Sequence, residues 1–98
     1  MRVIGISRVD EGRRIYLPRD LFDILNIKGE ICFKNVGKHI EVTTKDTEGG
    51  IKVSVGTKNR VYVPDEILER LKLEIGSNVI FLQEGGKVTL SRLEDRIR

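Results

Sequence analysis

Residues 14–25 read RIYLPRDLFDIL, and residues 60–71 read RVYVPDEILERL. Across this interval of forty-six residues, Arg14, Tyr16, Pro18 and Leu25 recur unchanged as Arg60, Tyr62, Pro64 and Leu71. Ile15/Val61, Leu17/Val63, Asp20/Glu66 and Leu21/Ile67 recur in kind. Self-similarity at a fixed period marks an internal duplication. In each copy two apolar residues alternate as on a strand with one buried face, Ile15 and Leu17 or Val61 and Val63, and a proline follows at once. Proline lacks an N–H and holds φ near the helical value, so it suits the first helical turn better than a strand interior. The spacing therefore predicts a change from strand to helix at Pro18 and at Pro64. Leu17, Leu21, Phe22 and Leu25 then share one helical face, as do Val63, Ile67, Leu68 and Leu71. Asp20 and Glu66 fall in the first turn, where a carboxylate complements the helix dipole. Helices of about two to three turns do not hold in water alone, so tertiary packing must hold them.

Working outward, residues 1–9 are rich in Val and Ile and read as a strand, and Asp10-Glu11-Gly12 is a polar turn before the strand that ends at Leu17. This predicts a front hairpin. After the first helix the chain turns over Asn26 to Glu30. Ile31-Cys32-Phe33 then leads through Asn35-Val36-Gly37-Lys38 to the alternating Ile40-Glu41-Val42, a back hairpin. The second copy keeps this order: a strand at 51–55, a turn from Gly56 to Asn59, a strand to Val63, a helix to Leu73, a strand at 79–82, a turn at 84–87 and a closing strand at 88–90. The stretch from Lys45 to Gly50 is polar, ends in two glycines and has no periodicity, so it is the expected linker. The organisation is thus a first repeat at 1–46, a second at 50–92 and a charged tail at 93–98, expected to be frayed.

Ninety-eight residues suit one domain with a modest core shared by both repeats. No apolar run approaches the roughly eighteen residues of a membrane span, and no signal peptide is expected. Cys32 is the single cysteine. It permits no internal disulfide, reads as a small buried hydrophobe, and makes a reducing cytoplasm the expected setting.

The formal charge of +3 is a weak argument for a nucleic-acid partner, but its distribution says more. Residues 1–19 hold five arginines and two acids, giving +3, and residues 50–64 hold Lys52, Lys58 and Arg60 with no acid, again +3. Positive charge is concentrated in the two equivalent front segments, as on a surface that follows phosphates. Arg19 opposes the helix dipole at the start of the first helix, where the second copy has Asp65, so the two halves are not interchangeable. Either an anion at the first repeat or a pairing with Asp23 would offset that cost. Enzyme chemistry finds no support. His39, the sole histidine, sits beside a turn without partner ligands, and no metal-ligand spacing appears. The glycines punctuate turns and form no phosphate loop. No cofactor, metal or catalytic residue is expected. Tyr16 and Tyr62 can stack on bases, but their place beside the core favours packing.

The repeated pattern of strand, polar turn, Arg-(Ile/Val)-x-(Leu/Val)-Pro, short helix, Gly and apolar hairpin resembles the SpoVT/AbrB swapped-hairpin domain. The matching stretches are VDEGRRIYLPRDLFDILNIKGE and VGTKNRVYVPDEILERLKLEIGS, which with their following hairpins cover nearly the whole chain. Gly12 matches the family's glycine before arginine in the first repeat, with Arg13 inserted, whereas Lys58-Asn59 replace it in the second. The resemblance implies a mainly β fold with short helices, in which two ββαββ repeats interlock as a swapped-hairpin barrel, here an intrachain pseudo-dimer. It also implies a DNA-binding transcriptional regulator whose front hairpins contact duplex DNA through Arg8, Arg13 and Arg14, with Lys52, Lys58 and Arg60 opposite and Arg2 and Arg19 as weaker candidates. Two other functions fit the same pattern: a protein-interaction module, antitoxin-like, with secondary DNA binding, or a duplicated β-barrel that does not bind DNA. Self-association or a protein partner is compatible with the first two.

Overall fold

The computed structural model describes residues 1–45 and 48–96; Asp46 and Thr47 of the expected linker, and Ile97 and Arg98 of the tail, lie outside the described residues. The first repeat contributes β1 (Arg2–Arg8), β2 (Arg14–Tyr16), α1 (Arg19–Leu25), β3 (Glu30–Val36) and β4 (His39–Thr43). The second contributes β5 (Ile51–Ser54), β6 (Arg60–Tyr62), α2 (Asp65–Leu71), β7 (Asn78–Glu84) and β8 (Lys87–Arg92). The fold is mainly β and antiparallel. No helix among the described residues is long and apolar enough to cross a membrane.

Strand order in the main sheet is β1-β7-β8-β4-β3-β5, and β2 and β6 form a separate two-stranded ribbon. Exchanging each strand for its equivalent in the other repeat reverses this order onto itself. Register obeys the same symmetry. Ile15 faces Val61 at the centre of the ribbon, with Arg14 opposite Tyr62 and Tyr16 opposite Arg60. Glu41 faces Thr89 at the centre of β4·β8. Equivalent residues are 46 apart up to α2 and 48 apart from β7 on, because the connection Leu73–Asn78 is two residues longer than Ile27–Glu30.

The front strands depart from the expected hairpins. β1 builds its ladder on β7, and β2 builds its own on β6. Each turn does close on itself, through Asp10 N–H to the Arg14 carbonyl at 3.0 Å and Gly56 N–H to the Arg60 carbonyl at 2.8 Å. The chain is then deflected by left-handed residues, Arg13 at φ 59° and Asn59 at φ 58°. Their carbonyls accept from Val63 N–H and Leu17 N–H across the repeat boundary, both at 2.9 Å, and so lengthen the ribbon. Asparagine tolerates this conformation, whereas for arginine it is uncommon and costs of order 1 kcal/mol. The conformation falls on Arg13 and not on Gly12.

Pro18 and Pro64 stand one residue ahead of their helices as N-caps, at φ −57° and −58°, rather than inside the first turn. Their extended ψ values, 145° and 148°, turn the chain from strand into helix. The Pro18 and Pro64 carbonyls accept from Leu21 and Ile67 N–H at 3.0 and 2.9 Å. Each helix ends at a left-handed residue, Asn26 or Lys72. Ile27 and Leu73 then donate their N–H groups back to Phe22 and Leu68, which fastens the last turn. Gly37 and Gly85, at φ 59° and 63°, close the back hairpins.

One core serves both repeats. It pairs Ile15 with Val61, Leu17 with Val63, Leu21 with Ile67, Ile31 with Val79 and Phe33 with Phe81, all buried. Cys32 is buried beside it as a free thiol. The tail departs from the frayed expectation as far as Arg96. Leu93–Asp95 forms a 3-10 turn, Arg92 pairs with Asp95 at 3.0 Å, and Arg96 donates to Ser91 Oγ at 3.3 Å. Half-buried Leu93 anchors that turn.

Candidate nucleic-acid interface

Strand alternation builds the candidate surface. With Ile15 and Val61 turned into the core, Arg14, Tyr16, Arg60 and Tyr62 must share the outer face of the ribbon. Tyr16 and Tyr62 are 49 % and 45 % exposed, so the expectation that they pack beside the core is corrected. The signal was present in the sequence, since each tyrosine lies one residue from a buried Ile or Val in a strand of period two. Cross-strand register sets each arginine against a tyrosine of the other repeat. Arg60 lies over the Tyr16 ring with Cζ 5.7 Å from the centroid, within cation–π range.

Asp10 organises the first turn. Its Oδ1 accepts from Gly12 N–H and Arg14 N–H, both at 2.9 Å, and its Oδ2 meets Arg60 Nη1 at 3.4 Å. The hydrogen bond from the Arg14 amide chiefly holds its pKa below the ordinary 3.8; desolvation opposes it as the next largest effect, and the Gly12 amide and the charges of Arg60 and Arg14 add to the lowering. A carboxylate with a depressed folded-state pKa contributes stability that is present above pH 3.8 and lost as pH falls through the lowered value. Asp10→Asn keeps the acceptor but not the charge. The variant is therefore expected to melt below the wild type at pH 7, with the gap closing under acid below pH 3.8, as read by thermal unfolding across a pH series. An equal gap at every pH would detach the Asp10 charge from stability.

The other candidate cations divide into two groups. Arg13 sits in the first turn and reaches Asp65 of α2 at 3.4 Å, an exposed pair worth little on its own. Lys58 sits in the 3-10 turn Thr57–Asn59 and is itself left-handed at φ 60°. Arg8 ends β1 and lines a concavity with Tyr16. Thus Arg8, Arg13, Arg14, Lys58 and Arg60 belong to the ribbon, its two turns and its flank. Arg19 does not, and Lys52 is exposed on the same face of β5 as Ser54, two residues from the flank beside Tyr62. Arg19 is the first residue of α1, and Lys52 lies within β5, in register with Cys32 of the main sheet. Among the described residues no cluster of three or more His, Cys, Asp or Glu side chains is arranged to hold a metal ion.

No family model matches this chain, and no curated protein matches it. Among solved structures it is similar to PHS018 from Pyrococcus horikoshii, known in solution, with 18 % identity over 94 % of each chain and a TM-score of 0.46. A likeness of that strength carries no argument about function.

Proposed function

We propose that this chain is a DNA-binding transcriptional regulator of AbrB type, folded as a swapped-hairpin pseudo-dimer whose ribbon and front turns lie on duplex DNA. The observation that carries this reading is the outer face of β2·β6, where two arginines and two tyrosines alternate about a pseudo-twofold axis. Exchange of β1 and β5 between the repeats supports the interlocked architecture. Arginine suits phosphate and guanine contacts because its guanidinium is planar and bidentate, and an exposed tyrosine ring adds a stacking or sugar contact. Pseudo-twofold symmetry in the protein matches pseudo-symmetric duplex DNA.

With Arg8, Arg13, Arg14, Lys58 and Arg60 on phosphates, log affinity for random duplex DNA is expected to fall against log salt with a slope of about −4.5. Gel shift across a salt series measures it. Absence of binding at the lowest salt would remove the reading. A protein-interaction module is the second reading, favoured by Met1, Val3 and Ile6, which stand 77 %, 56 % and 56 % exposed at the start of the chain and along β1. A partner that co-purifies and is lost on Val3→Lys and Ile6→Lys, with DNA binding intact, would establish it beside the first.

A further inference from the structure

The two flanks of the ribbon are equivalent under the repeat yet differ in their carboxylates. Beside Tyr16 lies a concavity of about 350 Å³ lined by Arg8, Val9, Asp10, Glu11, Tyr16 and Ile75. Beside Tyr62 lies one of about 310 Å³ lined by Arg14, Ser54, Gly56, Thr57, Arg60 and Tyr62. The interval of 46 residues places Ser54 where the first flank has Arg8, Gly56 where it has Asp10, and Thr57 where it has Glu11. The first lining holds Arg8 with two carboxylates, against which Arg60 leans from the ribbon, over Tyr16 and 3.4 Å from Asp10, and the second lining holds no carboxylate of its own.

We propose that the second flank is a phosphate-binding subsite with no counterpart in the first. The Arg14 guanidinium supplies charge-assisted donors, Arg60 adds a second cation whose Nη1 is held by Asp10, and the hydroxyls of Ser54, Thr57 and Tyr62 are the further donors that a tetrahedral oxyanion takes. Asp10 and Glu11 repel a phosphate from the first flank. Asp10 is also the internal competitor for the second: it meets Arg60 directly at 3.4 Å, and its charge acts on both Arg60 and Arg14. The ligand class is a phosphate, supplied either by the backbone of a nucleic acid or as a free ion. If the backbone supplies it, the molecule docks on DNA in one orientation despite its pseudo-symmetry; that last step alone rests on the DNA-binding reading.

Inorganic phosphate, titrated against chloride at constant ionic strength while amide resonances are followed, tests the subsite. Saturable shifts are expected at Gly56 and Thr57, with a smaller one at Asp10 as Arg60 is drawn from it and with Glu11 unmoved. Arg14→Gln is expected to weaken phosphate binding about tenfold or more, and Thr57→Val severalfold, with the remaining spectrum unchanged as the check on folding. Asp10→Asn, which keeps the turn acceptor, is expected to tighten it severalfold. No saturable shift at Gly56 and Thr57, or equal shifts at both flanks, overturns the proposal. A short duplex separates the sources. Displacement of phosphate from Gly56 and Thr57 by the duplex assigns the site to the DNA backbone. Phosphate binding there with no duplex binding keeps the subsite as a free-phosphate site and removes the DNA reading. Duplex binding that leaves Gly56 and Thr57 unmoved removes the subsite and keeps the DNA reading.

Discussion

Residues 1–49, expressed without the rest of the chain, are expected to be unfolded as a monomer, and mixing them with residues 50–98 is expected to restore the far-ultraviolet and amide spectra of the whole protein. β1 has its ladder on β7, β5 on β3, and β2 on β6, so separation leaves the front strands of each half without their ladder partners. Each half also loses the other's share of the core, Phe81 and Val61 in one case, Phe33 and Ile15 in the other. A chain of about fifty residues stripped of half its apolar contacts falls below what a single core sustains. Two copies of the first half are a poor substitute for the mixture. Glu41 would meet Glu41 where it now meets Thr89, and Arg13 would meet Arg19 where it now meets Asp65. Like charges set directly opposite each other destabilise by roughly 0.2–1 kcal/mol per pair. Size-exclusion chromatography and circular dichroism of each half, alone and mixed, measure the outcome. A first half that folds cooperatively as a monomer would show that the two repeats do not depend on each other.

The duplication and the inward faces were legible in the sequence because period-two and helical spacing both survive in two copies. Ile15, Leu21, Ile31, Phe33 and Ile40 and their equivalents all lie in the core. Strand partners were less legible, for a physical reason: β1 presents the same inward residues whether it pairs with β2 or with β7. Hydrophobic pattern sets which face is buried and leaves open which edge is shared. The choice was made in the turns, by the left-handed Arg13 and Asn59, and arginine is not a residue from which that conformation is read. Charge counting gathered Arg19 with the other cations because it records position along the chain and not the element that carries the residue. The asymmetry of the two flanks, by contrast, was written plainly in Asp10 against Gly56 and Glu11 against Thr57, but it acquires meaning only once the tyrosines are known to point outward.

Replacing Arg14 and Arg60 together by alanine is expected to lower affinity for duplex DNA about a hundredfold or more at low salt and to make the salt slope shallower by about two units. Both side chains stand on the outer face of the ribbon, so both meet whatever lies across it. The competing account is that these arginines serve the fold. Of the two, Arg60 has the defined ion pair, to Asp10 at 3.4 Å with side chains 24 % and 33 % exposed, and such a partly solvated pair is worth about 1 kcal/mol or less. Its place over Tyr16 adds roughly 0.5–1 kcal/mol, so the double variant is expected to stay folded with a modestly lower melting temperature. Single variants divide the roles. A uniform loss across DNA sequences assigns an arginine to phosphate, and a loss confined to particular base pairs assigns it to base readout. Arg14→Ala is expected to cost more than Arg60→Ala, because Asp10 already holds Arg60 and an incoming phosphate must draw it away. A folded double variant that binds duplex DNA at full strength, with an unchanged slope, would take both residues out of the interface.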